Sequence, residues 1–124
     1  MTQRKLEDAV LVGGHFVPDE LVAAIENSSV VVLRYQKNTE TSGERTVHPH
    51  VLYATSAGTV CVHAVQVDGP TSGNESLPFW RPFNVDHIEI VAVKDEVFTH
   101  DKDLNLANRN FYKELVVDCV NGRH

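Results

Sequence analysis

The chain has 124 residues, of which 42% are hydrophobic and 23% are charged, a composition typical of one globular domain. Its 11 Lys and Arg residues against 17 Asp and Glu residues give a net charge of −6 at pH 7 with the histidines counted as neutral. This acidic balance argues against a protein that coats nucleic acid or an anionic membrane by charge alone.

The apolar runs and the cysteines favour a soluble protein. The run at residues 30–33 is far shorter than the roughly 20 residues of a membrane span. Residues 1–8 carry basic side chains, but no apolar core of signal-peptide length follows before Gly13. Cys61 and Cys119 form neither a disulfide framework nor a zinc motif. We therefore expect a cytoplasmic protein with reduced thiols and no membrane association.

The first predicted element is a short helix. Residues 1–17 show no sustained periodicity, whereas Pro18 suits the start of a helix and the acidic residues 19–20 suit the positive end of its dipole. The apolar face of this helix comprises Leu21, Val22 and Ile25. The polar residues 27–29 end it.

The middle of the chain shows the period of two that is typical of strands. In the first strand, Val31, Leu33 and Tyr35 share one face. Pro49 interrupts the second strand, and because proline donates no backbone hydrogen bond we expect it at an edge or a bulge. The predicted strands cover residues 30–37, 45–54, 59–67, 79–83 and 88–93.

The last element is predicted to be helical. Apolar residues recur there at three- and four-residue spacing, and Gly122 is a natural C-terminal stop. The apolar positions are Leu104, Ala107, Phe111, Leu115 and Cys119. Five short strands flanked by helices predict a mainly β protein, a small antiparallel barrel with an N-terminal and a C-terminal helix.

Three stretches of the strand region follow one another in a distinctive order. They are Val31-Val32-Leu33-Arg34-Tyr35, Arg45-Thr46-Val47-His48-Pro49-His50-Val51-Leu52 and Arg81-Pro82-Phe83-Asn84-Val85-Asp86-His87-Ile88. Together they resemble the WYL domain family, small SH3-like (Sm-like) barrels found mostly in bacterial regulators of transcription. The resemblance covers residues 18–94 and implies a five-stranded barrel of that kind. Residues 1–17 are then an N-terminal extension and residues 95–124 a C-terminal helical extension.

The chain departs from the family pattern in specific places. Val60-Cys61-Val62 stands at the position of the Trp-Tyr-Leu triplet that names the family. His87 stands where the closing motif of the family has a second arginine. The winged helix-turn-helix that usually precedes the module has no room before Pro18. We interpret the chain as a stand-alone, divergent member.

The resemblance also implies a patch that binds a small effector or single-stranded nucleic acid. Carried over by position, its candidate ligand-binding residues are Tyr35, Arg45, His50, Arg81 and His87. Arginine offers a planar fork of donors to phosphate or carboxylate, and tyrosine offers a stacking face. The alternative interpretation places the tyrosine in the core and pairs the arginines with acidic neighbours, namely Glu44, Asp86 and Glu89.

Neither a metal site nor a catalytic centre is predicted. Zinc or copper ligands are offered by His48, His50, Cys61 and His63, but no second closely spaced pair and no carboxylate accompany them. A Cys61–His63 dyad is disfavoured, because residues two apart on a strand lie about 6.5–7 Å apart along it. The chain lacks a nucleophile elbow, a phosphate-binding glycine loop and a metalloprotease motif. We expect no enzyme activity, no metal and no cofactor.

Trp80, the only tryptophan, is predicted on the opposite face of its strand from Phe79 and Phe83. It either forms a binding or dimer surface with Arg81 or is covered by the C-terminal helix. The leading hypothesis is a non-enzymatic module that senses an anionic small ligand or a short single-stranded nucleic acid and regulates a partner protein. The alternative is a protein-interaction or homo-oligomerisation module that has lost this ligand site.

Overall fold

In the computed structural model, which describes residues 9–36, 43–71, 73 and 75–124, the chain is mainly β and has one α-helix. The helix is α1 (Asp19–Glu26), and a 3-10 turn covers Val85–His87. The strands are β1 (Ala9–Val12), β2 (His15–Pro18), β3 (Ser29–Tyr35), β4 (Glu44–Ala54), β5 (Val60–Asp68), β6 (Phe79–Asn84), β7 (Ile88–Val97), β8 (Glu114–Asp118) and β9 (Gly122–Arg123). Every described strand pair is antiparallel, so the predicted mainly β, antiparallel architecture is confirmed.

The predicted N-terminal helix is confirmed as α1. It begins directly after Pro18, with Asp19 and Glu20 in its first turn, where negative charge stabilises the helix dipole. Its buried residues are Leu21, Val22, Ala24 and Ile25. Before it, β1 and β2 form a hairpin within the region for which no periodicity was found, and Val17 of this hairpin is fully buried against the helix and the sheet.

The main sheet has the strand order β6-β5-β4-β3-β7, so the predicted strand series appears in space as neighbouring strands. Strand β4 is the longest and pairs with β5 along one edge. Along its other edge it pairs first with β3, through Val47, and then with β8, from Val51 onward. The β4–β5 register shifts between Pro49 and Val51. The prediction of an edge or a bulge at this proline is therefore confirmed.

The sheet is not closed into a barrel. Its end strands β6 and β7 are joined through the 3-10 turn, and within the described ranges neither pairs with the other. The predicted boundary at residue 94 falls inside β7, and β8 belongs to the same sheet as β4. The division of the chain at 17/18 and 94/95 stays a prediction.

The predicted C-terminal helix is wrong. Residues 95–97 end β7, residues 98–113 form turns and irregular backbone, and strands β8 and β9 follow with a turn at residues 119–121 between them. Asn105 and Asn108 stabilise these turns by accepting hydrogen bonds. The Asn105 side chain accepts one from the N–H of Ala107, and the Asn108 carbonyl accepts one from the N–H of Tyr112. After these turns, the adjacent β-branched residues Val116 and Val117 favour a strand, β8.

The two faces of the sheet carry separate clusters of buried side chains. On the inner face, Val62 and Ala64 of β5 pack into the main core beneath α1. On the outer face, Cys61 of β5 packs with Tyr53 and with Tyr112 of the C-terminal segment. This alternation follows from the period of two along a strand. None of the helices in the described ranges is long and apolar enough to cross a membrane.

Candidate ligand-binding site

The inner face of the sheet brings together most of the residues predicted to bind a ligand. Tyr35, at the end of β3, is 4% exposed and meets Phe83 of β6 edge to face, with ring centroids 4.9 Å apart. The Tyr35 hydroxyl accepts a hydrogen bond from the backbone N–H of Asn84 at 3.1 Å. The part of the alternative interpretation that buries the tyrosine is therefore correct, and its ring is held in one orientation.

Two arginines lie over this pair of rings. The Cζ atom of Arg45 is 5.6 Å from the ring centroid of Tyr35 and 5.9 Å from that of Phe83. The Cζ atom of Arg81 is 5.5 Å from each centroid. All four distances are within the range in which an aromatic ring attracts a cation. We call Tyr35, Arg45, Arg81, Phe83 and His87 the Tyr35 cluster.

The two arginines differ in burial. Arg45, near the start of β4, is 0% exposed, whereas Arg81 of β6 is only half-buried. Arg81 lies opposite Ala64 of β5, whose small side chain leaves room for the guanidinium on this face. The exposed part of the positive charge in the cluster therefore belongs to Arg81.

His87 completes the cluster from the 3-10 turn. Its ring lies 6.1 Å from that of Tyr35, nearly perpendicular to it, and its carbonyl accepts a hydrogen bond from the N–H of Gln36. Beside it, Asp86 pairs with His15 of β2 at 3.0 Å. The other predicted acidic neighbours, Glu44 and Glu89, form ion pairs with Arg34 on the surface, at 3.0 and 3.4 Å.

The structure places His50 apart from these residues. Its ring is 1% exposed and packs against Trp80 and Phe98 at centroid distances of 4.7 and 4.8 Å. Its Nδ1 is 2.7 Å from the His48 carbonyl, and its Nε2 accepts a hydrogen bond from the backbone N–H of Asp101. Both ring nitrogens are therefore used within the fold, and burial, the main cause, lowers the pKa of His50 to about 4.

Trp80 lies on the outer face, as predicted, where the C-terminal segment partly covers it. His63 stands beside it with a centroid distance of 4.5 Å, and Phe111 lies 4.7 Å from His63. The Tyr112 hydroxyl is hydrogen-bonded to His63 Nδ1 at 2.8 Å. These side chains, with Asp103, Asn105 and Asn108, line a pocket of about 290 Å³. The covering segment consists of turns, which corrects the prediction of a helix.

The surroundings of Cys61 and Cys119 are those of structural rather than activated thiols. Cys61 is buried, and the Nδ1 of His63 is directed to Tyr112. Burial, with the negative charge of Asp118, raises the pKa of Cys119 to about 11, so this thiol is protonated near neutral pH. Among the described residues, no group of three or more His, Cys, Asp or Glu side chains is arranged to hold a metal ion.

The sequence did not indicate the outer pocket. The lining residues from the C-terminal segment lie in turns, whereas the apolar spacing of that segment predicted a helix. The asparagines at 105, 108 and 110 are residues that turns favour. The Tyr35 cluster, in contrast, consists of residues that the motifs singled out, together with Phe83 between them in the same stretch.

No protein family, no curated protein and no solved structure matches this chain.

Proposed function

We propose that the protein is a non-enzymatic, WYL-like ligand-binding module that holds an anionic group at the Tyr35 cluster. The observation that carries the proposal is the approach of Arg45 and Arg81 to the same two rings. The two arginines come from different strands and from different motifs, so local sequence does not account for their meeting.

The cluster has the chemistry of an anion site. Two guanidinium groups that approach the same two rings create a positive field, and burial of Arg45 strengthens that field because less water screens it. Arg81 is half-buried, and a guanidinium group at such a position is able to bind a phosphate or carboxylate in a bidentate manner. The ligand is a small anion or the phosphate of a short single-stranded nucleic acid.

The broader parts of the hypothesis follow from the family resemblance. An SH3-like arrangement of β3 to β7, a role in regulating transcription through a partner protein, and a cytoplasmic location belong to this proposal. The strand order β6-β5-β4-β3-β7 and the buried Tyr35 support it.

Calorimetric titration tests the anion site. The protein is titrated with inorganic phosphate, with adenosine monophosphate and with a short oligo-dT, which separate a free anion from a nucleotide and from a strand. We expect saturable binding to at least one of them, and Arg81→Ala is expected to weaken it by about tenfold or more, the effect of losing one charge-assisted hydrogen bond.

The matched control is Arg34→Ala. This variant also removes one positive charge, at the residue that precedes Tyr35 on β3. The Arg34 side chain, however, is 46% exposed and pairs with Glu44 and Glu89. This variant should bind like the wild type. Absence of binding to all three probes, or an equal loss in both variants, contradicts the proposal.

A second candidate function, self-association, is favoured by strand β7. Val91, Val93 and Val97 of this strand are 39%, 40% and 66% exposed, and within the described ranges β7 pairs only with β3. A long edge strand with exposed apolar side chains is a template for pairing with a second copy of the chain. Light scattering should then show a dimer that Val93→Lys disrupts and Leu11→Lys, at an exposed position of the hairpin, does not. A monomeric wild type rules this candidate out.

A further inference from the structure

We propose that the pocket on the outer face is a second binding site, which takes a small organic cation with a quaternary or alkylated ammonium group. This site is separate from the Tyr35 cluster. Trp80 and Arg81 are neighbours on β6, and because successive strand residues point to opposite faces, one lines the outer pocket and the other the inner cluster. The inference does not depend on the proposed function.

The aromatic wall of the pocket is held in place before any ligand binds. The His63 ring contacts both Trp80 and Phe111, at centroid distances of 4.5 and 4.7 Å. Tyr112 is 4% exposed, packs edge to face on Tyr53 at 5.0 Å and is hydrogen-bonded to His63. A preformed wall favours binding because little side-chain freedom is lost when the ligand enters.

The charge of the lining favours a cation. Asp103 supplies the one carboxylate of the lining, which contains no Lys or Arg. Burial lowers the pKa of His63 to about 4, so the ring contributes no positive charge, and burial raises the pKa of Tyr112 to about 12, so the phenol stays neutral. The faces of Trp80 and Phe111 are themselves negative and attract ammonium groups.

The size and the rim select a small ligand. A volume of about 290 Å³ lies at the lower end of the range of small-molecule sites. Asn105 and Asn108 add amide groups that can bind a hydroxyl or carbonyl attached to the ammonium group. Asp103 is positioned by its loop, since its N–H donates to the Asp101 carboxylate at 2.8 Å. An aromatic wall beside one carboxylate is the arrangement by which proteins recognise choline-like cations.

Fluorescence titration tests the site directly, because Trp80 is the only tryptophan in the chain and lines the pocket. The probes are choline and its uncharged carbon analogue, 3,3-dimethylbutanol, at ionic strength matched with sodium chloride. We expect choline to change the emission in a saturable manner with a Kd on the order of 1 mM, and the analogue to bind at least about fivefold more weakly. Trimethyllysine is the third probe. If choline binds more tightly, the ligand is a free ion, and if trimethyllysine binds more tightly, it is a modified side chain.

Variants locate the charge that the cation recognises. Asp103→Asn keeps the shape of the side chain and should weaken choline binding about fivefold, the effect of one near-surface charge pair. Asp95→Asn, an exposed residue of β7, removes the same charge elsewhere and should leave binding unchanged. Equal binding of choline and its analogue, unchanged binding in Asp103→Asn, or no saturable change with choline or trimethyllysine overturns the proposal.

Discussion

The Nε2 of His50 accepts a hydrogen bond from the backbone N–H of Asp101 at 2.9 Å. This contact joins the centre of β4 to the segment that follows β7, and it requires an unprotonated Nε2. The hydrogen of the neutral ring is then on Nδ1, which donates to the His48 carbonyl at 2.7 Å. Protonation of the ring removes the acceptor and places a charge in a buried position.

Acid is therefore expected to destabilise the protein through His50. Its pKa is lowered from 6.5 to about 4 in the folded chain, chiefly by burial, so between these values the unfolded state binds more protons. The stabilising contribution is complete above the unfolded pKa and is lost as the pH falls toward the folded one. At about pH 5 the free energy of unfolding should be about 2 kcal/mol lower than at neutral pH from this residue alone. Urea unfolding at several pH values measures it.

The slope of the unfolding free energy against pH, measured in variants, identifies the histidine that causes the loss of stability in acid. His50→Gln should reduce the slope of unfolding free energy against pH between these values by about half, whatever its own stability, because one titrating group is gone while His63, whose pKa is also lowered to about 4, remains. His100→Gln, at an exposed position, should retain the full slope. An unchanged slope in His50→Gln contradicts the assignment.

The sequence allowed the helix and the central strands to be predicted because their patterns are local. Val31, Leu33 and Tyr35 alternate along β3 and are all buried. The C-terminal segment could not be assigned in this way. Leu104 and Leu115 have helical spacing, but both reach the Tyr53 side of the sheet from an irregular segment and a strand. Helical spacing here marked neither a helix nor a buried face, since Leu104 and Leu115 are half-buried without a helix and Phe111, at the same spacing, is 38% exposed.

The two candidate sites differ in the same respect. Tyr35 and Arg81 belong to strands that the sequence defines, so their meeting could be anticipated from the motifs. The outer pocket depends on Asn105, Asn108 and Phe111 in turns. No strand or helix period specifies the direction of a side chain in such a segment.

The strand assignment of residues 114–118 can be tested by introducing a charge. Val117 of β8 is 2% exposed in the main core, whereas Val120, in the turn after it, is 52% exposed. Val117→Asp buries an unpaired carboxylate and should prevent folding or reduce the stability by at least about 4 kcal/mol. Val120→Asp should change it by less than about 0.5 kcal/mol. Circular dichroism during urea unfolding measures both, and equal effects would show that β8 does not pack as described.

The backbone of the turn after β5 lies in close contact with the backbone at the start of β4. Gly69 has φ +100°, and a Cβ added to it would lie 2.4 Å from the Glu44 carbonyl oxygen and 2.8 Å from the Cα of Arg45. Both atoms belong to backbone, so Gly69→Ala must displace β4 and should cost at least about 2 kcal/mol. Gly58 has a similar φ of +86° with nothing within 4 Å, so Gly58→Ala should cost only about 1 kcal/mol. A thermal unfolding midpoint that falls equally in both variants contradicts the close approach.

Substitution of the two arginines of the Tyr35 cluster should affect stability unequally, with the larger loss at Arg45. Arg45 is 0% exposed, so Arg45→Ala removes a fully buried side chain whose guanidinium lies over the rings of Tyr35 and Phe83 and should cost about 3 kcal/mol. Arg81 is half-buried, so Arg81→Ala removes less buried surface and should cost about 1 kcal/mol. Arg34→Ala should cost less than about 1 kcal/mol because its ion pairs are exposed. Denaturant unfolding gives all three values. If Arg81→Ala destabilises the protein as much as Arg45→Ala, the exposed guanidinium is part of the core, and its assignment as the ligand contact is wrong.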